Sequence, residues 1–162
     1  MTEKKWHAVS VPPVEAVETL SGPAVQKIES STQMTFPTMS SEVIFLTAET
    51  HFDAAHNLVN YDGKCSKLHG HRWVVKAEFG PFTEDDLDAS GIALDFKDIK
   101  KDLNAIVDVY DHEYLNDFFA LPSAEKIALE IFGIMKRSYD DLYAIDLFES
   151  PESKCRVMRN GS

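Results

Sequence analysis

The sequence predicts an α+β domain: an antiparallel four-stranded sheet with two helices on one face. Three observations carry that reading. Strand-like segments come in two pairs, one before and one after a helical region. Between the pairs, apolar residues recur twice at helical spacing. Neither pair encloses a long crossover, so each is most simply an antiparallel hairpin, and the helices fall together on one side of the sheet.

The elements follow in order. "EVIFLTAETHFDAAH" is β-rich and ends in polar residues, which reads as a strand running into a loop. "HRWVVKAEFG" alternates, with Trp73, Val75, Ala77 and Phe79 on one parity and hence one face. The acidic, turn-rich "PFTEDDLDASG" ends that strand. Phe96, Ile99, Leu103, Ile106 and Tyr110 then recur at helical spacing, with Asp95 placed to cap the helix. A second helix starts at Ser123, has Glu125 in its first turn, and buries Ala124, Ile127, Ala128, Ile131 and Met135. "LYAIDLFE" and "KCRVMR" are the last two strands.

Residues 1–42 read differently. They hold four prolines and many Ser and Thr with little sustained periodicity, so they are expected to form a partly ordered extension in which His7 is a bystander. The domain proper is expected over 43–162. No apolar run approaches the ~20 residues needed to span a bilayer. The net charge of −11 argues against nucleic acid or an anionic membrane as partner. With only Cys65 and Cys155, a disulfide scaffold is not expected, and a reduced cytoplasmic setting fits best. The acidic chain nevertheless has no Asp or Glu from Gly63 to Ala77, where Lys64, Lys67, Arg72 and Lys76 occur. That run is either a solvated strand face or a small electropositive mouth.

"DGKCSKLHGHRW" concentrates the chemistry. In a strand, residues i and i+2 share a face roughly 6.5–7 Å apart, so His69 and His71 present both imidazoles to one transition metal. The third ligand is one of His51, His56 and His112. His56 ends the preceding strand, and a hairpin return sets it beside the pair. Three histidines without a fourth protein ligand make an open, catalytic zinc site. Cys65 sits among Gly63, Lys64, Ser66 and Lys67, no core sequence, where a thiol is primed to act as base or nucleophile. Asp111 and His112, after the first helix, are either a capping pair or a proton-handling pair near Cys65. Glu149 ends the third strand and by itself reads as a solvated edge residue. Cys155, in a terminal strand, reads as structural.

"HFDAAHNL", "KCSKLHGH", "GIALDFKDIK", "YDHEYLN", "LPSAEKIA" and "LFES" occur in the order seen in the 6-pyruvoyltetrahydropterin synthase and 6-carboxytetrahydropterin synthase family. The resemblance covers residues 44–159. The C-x-x-x-H-G-H spacing resembles the 6-carboxytetrahydropterin synthases of 7-deazapurine (queuosine) biosynthesis. The resemblance implies that His56, His69 and His71 bind zinc, that Cys65 is the catalytic thiol, and that Asp111 and His112 handle protons. It implies that Glu149 anchors the pterin ring. It also implies a tunnelling-type ββααββ fold, three subunits closing a β-barrel, and two trimers stacking into a homo-hexamer with active sites at subunit interfaces. The implied substrate is 7,8-dihydroneopterin triphosphate, whose triphosphate makes sense of the basic run. The implied product is 6-carboxy-5,6,7,8-tetrahydropterin, with release of triphosphate and acetaldehyde. A 6-pyruvoyltetrahydropterin product, another side-chain cleavage, or a zinc-stabilised pterin-binding module without catalysis are the alternatives. Two positions depart from the family pattern: Ser150 follows Glu149 where threonine is usual, and Asn57 follows His56 where a basic residue is frequent.

Overall fold

Alternation along the chain builds the sheet, as seen in a computed structural model that describes residues 42–160. Apart from Glu42, the expected N-terminal extension lies outside the described residues. β1 (Ile44–His56) and β2 (His69–Phe82) form the first hairpin, and β3 (Leu142–Ser150) and β4 (Ser153–Met158) the second. α1 (Phe96–Val107) and α2 (Ala124–Lys136) lie between the hairpins in sequence. The strand order is β1-β2-β3-β4, antiparallel throughout. This is the expected ββααββ arrangement.

One face of the sheet is the core. Ala48, Phe52 and Ala54 of β1, Trp73, Val75, Ala77 and Phe79 of β2, and Ile145 and Leu147 of β3 are buried there. Ile99, Leu103 and Val107 of α1 and Ile127, Ala128, Ile131 and Met135 of α2 cover them. Each fully buried large side chain contributes about 1.5–3 kcal/mol by leaving water, so this layer outweighs any surface term. The other face is polar and ion-paired: Glu49 with Lys76 at 2.8 Å, Asp53 with Arg72 at 2.8 Å, and Asp146 with Lys154 at 3.2 Å. Two cations of the acid-free run, Arg72 and Lys76, are thus matched by carboxylates of β1. The positive charge left in that run is at Lys64 and Lys67, both exposed.

The first helix differs from its expected extent. It ends at Val107, and its buried stripe is Ile99, Leu103 and Val107, while Phe96 lies exposed. Asp95 caps it as expected, accepting from the Lys97 N–H at 2.8 Å. Tyr110 is buried from a turn beyond the helix. The Tyr110 N–H donates to the Val107 carbonyl at 2.9 Å, which folds the chain back and sets the ring 5.8 Å from Phe52. A turn thereby mimics the helical periodicity.

Candidate metal centre

The alternation that buries Phe52 and Trp73 also delivers the histidines. His69 and His71 share the parity of Trp73 on β2, and His56 shares that of Phe52 and Ala54 on β1. The ladder sets His56 opposite His69, and His71 opposite Ala54. The apolar face therefore ends in three imidazoles whose ring centres are 4.6, 4.9 and 5.3 Å apart. The Trp73 indole forms their floor, edge-on to His56 at 5.0 Å and to His71 at 5.3 Å. His56, only 1% exposed, is the one fully buried polar residue among those described.

Hydrogen bonds fix the tautomers. His56 Nδ1 lies 2.7 Å from the Pro122 carbonyl, and His69 Nδ1 2.7 Å from the Lys67 carbonyl. A carbonyl oxygen only accepts, so both Nδ1 atoms carry the proton and both Nε2 atoms carry a lone pair. Those two Nε2 atoms face each other at 3.2 Å. His71 Nε2 is buried and makes no hydrogen bond; the Glu149 carboxylate is 3.2 Å away without the alignment a hydrogen bond needs. Burial holds the His71 imidazole below its ordinary pKa, Glu149 opposes this, and the neighbouring histidines add to it. When these rings are neutral, the Nε2 lone pairs of His56 and His69 converge, the donor arrangement a metal requires. The donor atoms of His56, His69, His71 and Glu149 all lie within 4.8 Å of one another, so the residues fit a divalent ion with nitrogen and oxygen ligands.

Of the three candidates for the third ligand, His56 joins the cluster. His51 and His112 do not; His51 has the opposite parity to Phe52 and is exposed. Glu149, read from sequence as a solvated edge residue, instead lies 3.4 Å from His56 Nε2 as well as beside His71. Its parity with Ile145 and Leu147 signals only the face it shares; the approach to the histidines depends on how β3 lies beside β2.

Residues 111–114 are stitched to the edge of β1. The His112 N–H donates to the Asp53 carbonyl at 2.6 Å, and the Ala55 N–H to the Glu113 carbonyl at 3.1 Å. Asp111 accepts the Asp53 N–H through Oδ1 at 2.8 Å, while its Oδ2 lies 3.5 Å from His112 Nε2. His112 has φ +59°, sparsely populated by residues with a side chain, and its side chain is 82% exposed. His112 and His71 both line an open cleft of about 400 Å³. Cys65 occupies a one-turn 3₁₀ segment, Lys64–Ser66, in the loop joining β1 to β2. Its carbonyl accepts the Leu58 N–H at 2.8 Å, and its thiol is free and half-buried. No hydrogen bond or ion pair joins Cys65 to Asp111 or His112 within the chain. Cys155 packs against the core, and burial raises its thiol pKa, in keeping with a structural role.

Asn57 has a function that sequence reasoning missed. Its N–H donates to Asn116 Oδ1 at 3.0 Å, Asn116 Nδ2 returns a bond to its carbonyl at 2.9 Å, and its Oδ1 accepts the Tyr114 hydroxyl. The residue after His56 thus braces the chain that leaves the cluster.

The fold and the cluster together define an α+β domain with a three-histidine cluster at one end of its core. A model of the family described as 6-pyruvoyl tetrahydropterin synthase matches residues 45–160. The chain belongs to that family of pterin lyases. It is 34% identical over 116 residues to a Synechocystis protein named 6-carboxy-5,6,7,8-tetrahydropterin synthase, covering 67% of this chain and 88% of the relative. A Haemophilus influenzae protein of the same name is 30% identical over 138 residues, covering 68% and 95%. Among solved structures, Caenorhabditis elegans 6-pyruvoyl tetrahydropterin synthase shares the fold, with TM-score 0.63 and 23% identity over 74% of this chain and 97% of that one.

Proposed function

We propose that this chain is a zinc-dependent lyase that converts 7,8-dihydroneopterin triphosphate to 6-carboxy-5,6,7,8-tetrahydropterin, releasing triphosphate and acetaldehyde. The observation that carries the reading is the convergence of His56, His69 and His71, with two tautomers fixed so that lone pairs point inward. The printed names of the relatives support the 6-carboxy product.

His56, His69 and His71 would hold the ion, which when bound supplies Lewis-acid polarisation of the hydroxyls on the substrate side chain. Cys65, as thiolate, takes the proton from the adjacent side-chain carbon. His112, oriented by Asp111, gives or removes the remaining protons. Glu149 accepts hydrogen bonds from the 2-amino and ring N–H donors of the pterin. The family resemblance implies active sites at subunit interfaces, and an exposed His112 imidazole that makes no bond to Cys65 within the chain is compatible with its reaching a neighbour's thiol. That fits a trimeric barrel and a stacked hexamer. Residues 43–162 form the catalytic unit, residues 1–42 are an extension to it, and the enzyme is cytoplasmic with Zn2+ as its cofactor.

Product identification tests the reading. Zinc-loaded protein given dihydroneopterin triphosphate is expected to yield acetaldehyde and 6-carboxytetrahydropterin in equal amounts. A 6-pyruvoyl product without acetaldehyde would place the chain in the other branch of the family. A zinc-loaded oligomer that binds pterin without turnover would make it a binding module.

A further inference from the structure

Glu149 lies where β3 loses register with β4. Phe148 pairs with Lys154 and Ser150 with Ser153, so Glu149 is the extra residue of an irregularity in the ladder. Alternation along β3 puts Glu149 on the face of Ile145 and Leu147, and its Oε1 lies 3.4 Å from His56 Nε2 and 3.2 Å from His71 Nε2. His56 Nε2 and His69 Nε2 are 3.2 Å apart. Four ligand atoms about 2.0–2.1 Å from a tetrahedral ion stand roughly 3.3 Å from one another. These three of the six separations match that spacing, two of them made by the carboxylate, and all four ligand atoms lie within 4.8 Å of one another. Three neutral imidazoles also bring no negative charge to a dication, and Glu149 supplies it.

The geometry points to Glu149 as the fourth protein ligand of the resting metal centre, an assignment that rests on the three-histidine reading above. The centre is then closed at rest. The carboxylate that anchors a pterin ring is the one that closes the coordination shell, and it serves one role at a time. The 2-amino and ring N–H groups of an arriving pterin draw it off the ion and free a position for the side-chain hydroxyls. The Glu149 side chain is 32% exposed and has room to swing, whereas buried His56 does not. Only a substrate that satisfies the ring acceptor opens the reactive position, so ring recognition gates the chemistry.

The test compares wild type, Glu149→Gln and His69→Ala. Zinc affinity is measured against a competing chelator, and the Co2+-loaded proteins are titrated with azide while their visible absorption bands are followed. Glu149→Gln is expected to lose about 10–100-fold in zinc affinity, and its Co2+ form to bind azide about tenfold more tightly because the position stands open. Unsubstituted pterin, which has the ring but no side-chain hydroxyls, is expected to tighten azide binding to wild-type Co2+ protein. Equal zinc and azide affinities in wild type and Glu149→Gln would overturn the fourth-ligand assignment and leave the histidine centre standing. Azide binding to wild type indifferent to pterin would overturn the exchange between ion and ring without recourse to any variant. His69→Ala holding zinc as tightly as wild type would overturn the underlying three-histidine reading instead.

Discussion

His56 and His69 are ladder partners, and their Nε2 atoms approach to 3.2 Å while each Nδ1 donates to a backbone carbonyl. With both protons committed outward, two lone pairs confront each other beside the core, an arrangement that a cation between them stabilises. Metal analysis of His69→Ala is therefore expected to show little of the zinc carried by wild type. Zinc at one equivalent per chain in that variant would move the centre elsewhere.

Cys65 is outside the four-residue cluster, so its removal separates chemistry from metal binding. Cys65→Ala is expected to keep zinc content and oligomeric state while turnover of dihydroneopterin triphosphate falls by at least ~10²–10⁴-fold. His112→Ala should do the same. If the two groups meet across an interface, co-refolding both inactive variants should restore activity by forming some sites with an intact pair. Full turnover by Cys65→Ala removes the thiol from the mechanism, and a mixture that stays inactive removes the shared site.

Trp73 ties the centre to the core. It is fully buried, stacks on Phe52 at 6.1 Å, donates its indole N–H to the Ala54 carbonyl at 3.3 Å, and floors His56 and His71. Trp73→Ala is expected to cost about 3–5 kcal/mol in urea unfolding of the metal-free protein, the usual range for a large aromatic truncated in a core. Its zinc affinity should drop as well, since two ligand rings lose their support. A stable variant with wild-type zinc affinity would show that the floor is dispensable.

Tyr139, packed against Phe79, gives a pH signature outside the histidine cluster. Burial, then donation to Asp102 Oδ2 at 2.8 Å, push its phenol up to about 12 from an ordinary 10.0. In the unfolded chain the phenol ionises first, so its contribution to stability is whole below pH 10 and is lost as the pH climbs to about 12. The stability difference between wild type and Tyr139→Phe is expected to shrink across that window in chemical denaturation. A difference that stays level would contradict the shift.

Much of this was legible from local pattern. Period-two alternation around Trp73 and Val75 fixes a strand, and the same parity carries through His71 to His69. The α2 stripe from Ile127 to Met135 is read correctly because its apolar residues serve one packing surface. Tyr110 misled for a physical reason: a turn can bury a residue at a helical interval, and only the end of the i→i−4 bonding tells the two apart. Glu149 and Asn57 were illegible in their contacts. One reaches the histidines through strand pairing, and the other braces a loop through residues 57 and 59 positions away in sequence. Such relations come from the assembled sheet and leave no periodic trace.

Pro122, whose carbonyl takes the proton of His56 Nδ1, stands two residues before α2. The most deeply buried histidine of the cluster is thus tethered to the point where a helix begins. If the cluster holds the proposed ion, loading or stripping it is expected to change local rigidity at that helix start. Slowed amide exchange over the opening turn of α2 is the expected gauge of occupancy, even when no reaction runs.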